Sequence, residues 1–235
     1  MLNTWPAGQM NEGNMPVADR REYLADLVAL LKKQWPENRL VNIVCHGHSV
    51  PAGYFASPLV DTFNAYPYLL HWGLKHRFPY AAINIIVTAI GGEHSPSGAA
   101  RFEEDVLSHR PDVLTIDYGL NDRGIGLARA KAAWQSMIER AQERGIKLLL
   151  LTPTPDLTQR PDAPPEQRQE LQDHAQQIRA LAAQYEVGLV DSLAACEQYL
   201  QAGGDLSDIL SWSNHPNRAG HEIVARELLR WFPMS

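Results

Sequence analysis

Five short apolar runs punctuate the chain: Leu40 to Cys45, Ile83 to Val87, Val113 to Ile116, Ile146 to Leu151 and Val187 to Val190. Each is four to six residues long, rich in Val, Ile and Leu, and continuous rather than alternating. That is how strands covered on both faces read. Between the runs, apolar positions recur at helical spacing around Phe63 to Phe78, Ser97 to Ser108, Leu127 to Arg144 and Pro165 to Tyr185, and a last such stretch spans Pro216 to Trp231. Upstream, Tyr23, Leu24, Leu27, Leu30 and Leu31 predict a helix within Val17 to Trp35, with Asp19 near its start, Lys32 and Lys33 near its end, and Pro36 as its stop.

Strands alternating with helical connections of this length predict a three-layer α/β/α sandwich, and right-handed crossovers leave few topologies. The expected arrangement is a flavodoxin-like five-stranded parallel sheet in the order 2-1-3-4-5. Residues 1–16, rich in Gly, Asn and Pro and without periodicity, read as an N-terminal arm. Residues 17–235 then form a single domain, without internal repeat or low-complexity block.

Composition narrows the function classes. Of 235 residues, 45% are hydrophobic and 20% charged, which excludes global disorder. The net charge is −6 and no Lys/Arg run exceeds two residues, so no basic footprint for nucleic acid exists. Two cysteines, Cys45 in an apolar run and Cys196 in a helical stretch, match neither a disulfide framework nor a four-cysteine zinc site. The N-terminus lacks a basic segment followed by an apolar one, and no run reaches bilayer length. The expectation is a soluble, cytoplasmic protein with no membrane partner.

Ligands of such sheets bind outside the carboxyl ends of the strands. The segments leaving those ends are His46-Gly47-His48-Ser49, Ile90-Gly91-Gly92-Glu93-His94, Gly119-Leu120-Asn121-Asp122, Thr152-Pro153-Thr154 and Asp191-Ser192. Ser49 there would present a hydroxyl at the mouth of the sheet, inert until a base takes its proton. His215, 166 residues downstream and just before the last helix, is the candidate base. Gly92 through its N–H, Asn121 through its amide and Ser49 through its own N–H are candidate donors to a developing oxyanion.

These segments resemble the SGNH (GDSL-type) hydrolase family of esterases and acylhydrolases. Its four blocks occur in order: Gly47-His48-Ser49, Ile90-Gly91-Gly92-Glu93, Gly119-Leu120-Asn121-Asp122, and His215-Pro216-Asn217 with Gly220-His221. The resemblance implies Ser49 as nucleophile, His215 as base, and Gly92 and Asn121 as oxyanion donors. Two positions depart from it: His48 stands where the family has Asp before the serine, and Trp212 where it has the acid three residues before the histidine. The sequence therefore predicts a Ser49/His215 dyad whose imidazole is oriented by a backbone carbonyl or another acceptor, with Asp208, Asp205 and Asp191 as side-chain candidates and Asp208 the preferred one.

A His48–Glu93 pair beneath the site is a further expectation, and Tyr54 and Trp212 are candidates for the substrate pocket. The implied activity is hydrolysis of a short-chain acyl ester, with deacetylation of a carbohydrate the favoured case, without a cofactor. Two alternatives stand beside it: a ligand-binding degenerate hydrolase without activity, and a metallohydrolase built on His46, His48 and His94.

Overall fold

A computed structural model describes residues 17–234. The arm expected over residues 1–16 lies outside the described residues. Five strands, β1 (Val41–Gly47), β2 (Ile83–Val87), β3 (Val113–Asp117), β4 (Lys147–Leu151) and β5 (Gly188–Val190), form one sheet in the order β2-β1-β3-β4-β5. Every pairing is parallel. The expected topology is thus the one observed.

The helices are α1 (Ala25–Leu31), α2 (Ser49–Ala52), α3 (Tyr66–Arg77), α4 (Ser95–Ala100), α5 (Phe102–Asp105), α6 (Gly119–Asp122), α7 (Leu127–Gln142), α8 (Pro165–Gln184), α9 (Ser192–Gln201) and α10 (Arg218–Leu229). Alternate strand residues feed two separate cores, as the two-residue period of a strand requires. Ile43, Val113, Leu149 and Leu151 pack with side chains of α1, α3 and α10. Val44, Leu114, Ile116, Leu148 and Leu150 pack on the other face with Phe102, Trp134, Met137 and Ile178 from α5, α7 and α8.

The differences from the expected boundaries have local causes. β1 continues past its apolar run because His46 and Gly47 still pair with Ile116 and Asp117 of β3. The polar side chain of His46 hides that extension from any hydrophobic pattern. The helix expected within 17–35 is regular only over Ala25–Leu31, preceded by turns tied to the Asp19 carbonyl. The stretch 97–108 divides into α4, α5 and a 3₁₀ turn, which Arg110 ends in a left-handed conformation. Among the described residues no helix is long and apolar enough to cross a membrane.

Candidate active site

The site begins where β1 turns into α2. A Cβ at Gly47 would lie 2.4 Å from the Asp117 carbonyl oxygen, so only glycine allows β1 and β3 this close at their ends. The next residue, His48, donates its N–H to that same carbonyl (3.2 Å) and accepts the Val50 N–H on its own Nδ1 (3.2 Å). This cap starts α2 at once and makes Ser49 its first residue. The N–H of Ser49 has no acceptor among the described residues, as expected at a helix start.

His215 approaches from the other end of the chain. Residues 211–215 form a turn closed by the Ser211 N–H on the His215 carbonyl (2.9 Å) and by the pairing of Leu210 with Pro216. Asn217 then caps α10 through the Gly220 N–H (3.2 Å). The turn holds His215 Nε2 3.0 Å from Ser49 Oγ, with both residues buried. On the far side of the ring, Nδ1 lies 3.1 Å from the Phe55 carbonyl. A carbonyl can only accept, so Nδ1 carries the proton and Nε2 is free to accept from the Ser49 hydroxyl. Burial pushes the imidazole below its ordinary pKa, the Phe55 carbonyl partly opposes this, and nearby His48 adds to the lowering.

Phe55 is the group the sequence could not single out, since a backbone carbonyl has no residue signature. Its orientation is fixed by its own N–H on the Leu59 carbonyl (2.9 Å), and its oxygen also lies 2.9 Å from Ser211 Oγ. Asp208 does not take this role. Its carboxylate accepts from Tyr199 (3.0 Å) and from the Asp205 N–H (2.9 Å), completing a capping box on a 3₁₀ turn. Asp191 is likewise engaged elsewhere, with Arg179 and Thr152. Trp212, at the position of the family's acid, is 67% exposed.

The oxyanion candidates come from the loops after β2 and β3. Gly92 adopts φ +76°, a conformation that favours glycine, and its N–H has no acceptor among the described residues. The Asn121 amide donates one hydrogen to the Glu93 carbonyl (3.0 Å), leaving the other to point elsewhere. Asp122 beside it ties two loops together by accepting from the Ser95 N–H and the Trp134 indole, both at 2.8 Å. Tyr54 stacks against the backbone of Gly91 and lies 6.0 Å, centroid to centroid, from the His215 ring.

The expected His48–Glu93 pair is not formed. Glu93 is held instead by Arg101 Nη2 (2.5 Å), Arg101 Nε (2.9 Å) and the Tyr118 hydroxyl (2.8 Å). His48 Nε2 faces Asp117 Oδ1 at 3.5 Å, because β1 and β3 are neighbours and their ends align. His46 lies in the second core, its nitrogens against Thr88 Oγ1 (2.9 Å) and the Tyr118 hydroxyl (3.1 Å), and burial drives its pKa down to about 4. Among the described residues no three His, Cys, Asp or Glu side chains gather in a way that could hold a metal ion, so His46, His48 and His94 do not form the triad of the metal alternative.

A hydroxyl, an imidazole aligned on it and unpaired N–H groups at strand ends define a hydrolase-type arrangement on a doubly wound sheet. Residues 45–223 match the model of the GDSL-like lipase/acylhydrolase family. The chain belongs to that family and is a carboxylic ester hydrolase. An acetylxylan esterase of Geobacillus stearothermophilus is 25% identical over 170 residues, covering 67% of this chain and 75% of that one. The crystal structure of an acetylxylan esterase from that organism superposes with a TM-score of 0.67 at 22% identity, covering 82% of this chain and 94% of that one. Variants of that esterase with a serine, a histidine and an aspartate replaced, the aspartate three positions before the histidine, are described as catalytic mutants. LAE5, an alpha/beta hydrolase from the metagenome of Lake Arreo, Spain, superposes with a TM-score of 0.70 at 24% identity, covering 82% of this chain and 94% of that one.

Proposed function

We propose that the protein, acting as one domain over residues 17–235, removes short acyl groups, foremost acetyl, from a carbohydrate ester through an acyl-enzyme on Ser49. The observation that carries this reading is the relay in which Ser49 Oγ, His215 and the Phe55 carbonyl lie in line at 3.0 and 3.1 Å. The acetylxylan esterase relatives support the choice of acyl group and alcohol.

In this mechanism Ser49 attacks the ester carbonyl while its proton passes to His215 Nε2. The tetrahedral oxyanion is met by the N–H groups of Ser49 and Gly92 and by the free hydrogen of the Asn121 amide. His215 returns the proton to the leaving sugar oxygen as the carbon–oxygen bond breaks. A water then gives its proton to Nε2, its oxygen attacks the acyl carbon, and collapse releases the acid and restores Ser49. The Phe55 carbonyl orients the imidazole throughout, but as a dipole it stabilises the imidazolium less than the full negative charge of a carboxylate would.

The test is hydrolysis of p-nitrophenyl acetate and butyrate and of an acetylated sugar by the wild type, Ser49→Ala and His215→Ala, each with and without EDTA. The expected result is loss of about 10⁴-fold or more in kcat for either variant, no effect of EDTA, and preference for acetate. A fluorophosphonate should label Ser49 stoichiometrically. Either variant retaining turnover within tenfold of wild type would overturn the mechanism.

A further inference from the structure

The leaving oxygen must receive its proton from His215 Nε2, so the alcohol half of the ester lies on the histidine's side of the site. A cavity of about 1070 Å³ adjoins the turn that leads into His215, lined by Ser211, Trp212 and Ser213 but not by Ser49 or His215 themselves. One wall is Ser211-Trp212-Ser213, the turn that ends in His215, and the facing wall is the segment after β4 with Leu157, Gln159 and Arg160. Trp212 lies three positions before His215, a reach of at most ~11 Å. The oxyanion donors, by contrast, come from the loops after β1, β2 and β3, none of which lines the cavity.

We infer that this cavity is a subsite for the saccharide chain bearing the ester, with the Trp212 ring as its stacking platform. The inference rests on the deacetylase reading above and deepens it: the substrate is an oligomer or polymer rather than a monosaccharide. The volume is just above the ~300–1,000 Å³ range typical of ligand pockets and far exceeds what an acetyl group fills. Its chemistry suits a neutral, polar ligand with flat apolar faces. Arg160, without an ion pair among the described residues, and Asp162 and Asp205 bring charges of both signs, while Trp212 offers an aromatic face.

Both walls are preorganised. The Leu157 N–H donates to the Ser213 carbonyl (2.9 Å), linking one wall to the other. Asp156 pairs with Arg123 and accepts the Thr158 N–H (3.0 Å), and Arg168 Nη2 donates to the Arg160 carbonyl (2.6 Å). An exposed tryptophan on a turn fixed this firmly costs little to order when a ring stacks on it. Trp212 also stands where the family has its acid. With His215 already oriented by Phe55, that position no longer has to face the imidazole and is open to a binding role.

The experiment compares acetate release from acetylated xylose and acetylated xylotetraose by the wild type, Trp212→Ala and Trp212→Phe, with melting curves to verify folding. The expected wild-type kcat/KM favours the tetramer by about tenfold per acetyl group, the ratio falls to within about twofold of unity in Trp212→Ala, and Trp212→Phe keeps most of it. In Ser49→Ala protein, unacetylated xylotetraose should quench tryptophan fluorescence saturably, and Ser49→Ala/Trp212→Ala should lose that signal. Equal kcat/KM for the two sugars in the wild type, or an unchanged ratio in Trp212→Ala, overturns the subsite while leaving the deacetylase reading intact. Hydrolysis of p-nitrophenyl acetate without release from either sugar overturns both.

Discussion

Replacing Glu93 by alanine removes two supports at once, and the structure sets the size of each. The carboxylate is nearly buried, with 8% of its side chain exposed against 17% for Arg101. Breaking a buried pair typically costs about 3–5 kcal/mol because a charge is left uncompensated. Here Arg101 retains Asp105 (3.0 Å) and the Thr88 carbonyl (2.7 Å), and Tyr118 retains His46 (3.1 Å). The loss should therefore sit at the lower end, about 3 kcal/mol, or roughly 6–12 °C in Tm for a chain of this size. The second effect is kinetic. Glu93 follows Gly92 directly and its own carbonyl aligns the Asn121 amide, so both proposed oxyanion donors depend on how firmly this residue is held. Deleting one such donor costs about 10²- to 10³-fold, and loosening two without removing either should cost about 10- to 100-fold in kcat with KM nearly unchanged. Glu93→Gln keeps the shape and one carbonyl oxygen to accept from Arg101 Nη2 and Tyr118, losing only the acceptor for Arg101 Nε, and should stay within about fivefold of wild type. Steady-state kinetics on p-nitrophenyl acetate, paired with thermal melts, separate the effects. A Glu93→Ala protein that melts lower yet keeps kcat within twofold would refute the positioning role.

Ser211→Ala removes the hydroxyl at 2.9 Å from the Phe55 carbonyl and should cost about 1 kcal/mol of His215 positioning, near fivefold in kcat/KM, with Ser211→Thr recovering most of it; unchanged kinetics would detach Ser211 from the relay. Because burial lowers the pKa of His215 and the neutral ring is the proposed base, the acid limb of kcat/KM should fall below pH 6.5. A limb above 6.5 in a pH–rate profile would contradict that environment. His46 and His221 are held neutral by burial, at about 4 and about 3. The unfolded chain binds protons at these sites from pH 6.5 downward while the folded one does not, so each should cost up to about 1.4 kcal/mol of stability per pH unit as pH falls toward its folded value. Urea melts at pH 7 and pH 5 test this, and His46→Gln should flatten the slope. Asp208→Ala should lose its cap and the exposed Tyr199 contact, about 1 kcal/mol by melting, with p-nitrophenyl acetate turnover within twofold.

The fold was legible because each strand leaves a short run dominated by Val, Ile and Leu, even in the half-exposed edge strand β2, and five such runs with helical spacers admit few arrangements. Legibility failed where a strand residue is polar for a reason internal to the fold: His46 lies in β1, yet Thr88 and Tyr118 satisfy its ring, and no hydrophobicity pattern contains that. The site candidates were legible as motifs, because Ser49, Gly92, Asn121 and His215 each sit at a strand end or helix entry where the residue type itself carries the chemistry. Their partners were not. Glu93 pairs with Arg101, eight residues along and between α4 and α5, and His48 faces Asp117 across a strand pair, neighbours that only the folded layers create.

The relay poses the same problem in its sharpest form. A search for the group orienting His215 looks for carboxylates, and the chain offers Asp191, Asp205 and Asp208 within reach in sequence. Asp191 and Asp208 are already occupied by Arg179 and by a cap, and Asp205 accepts from Ser207 as the first residue of that same cap. What reaches Nδ1 is the backbone of Phe55, brought there by the tight turn in which Phe55 and Leu59 pair, 160 residues from His215. An acceptor of that kind survives side-chain substitution at its own position, provided the turn holds. On this reading activity should be more sensitive to changes in the turn, or to Ser211 beneath it, than to the removal of any single aspartate in the last fifty residues.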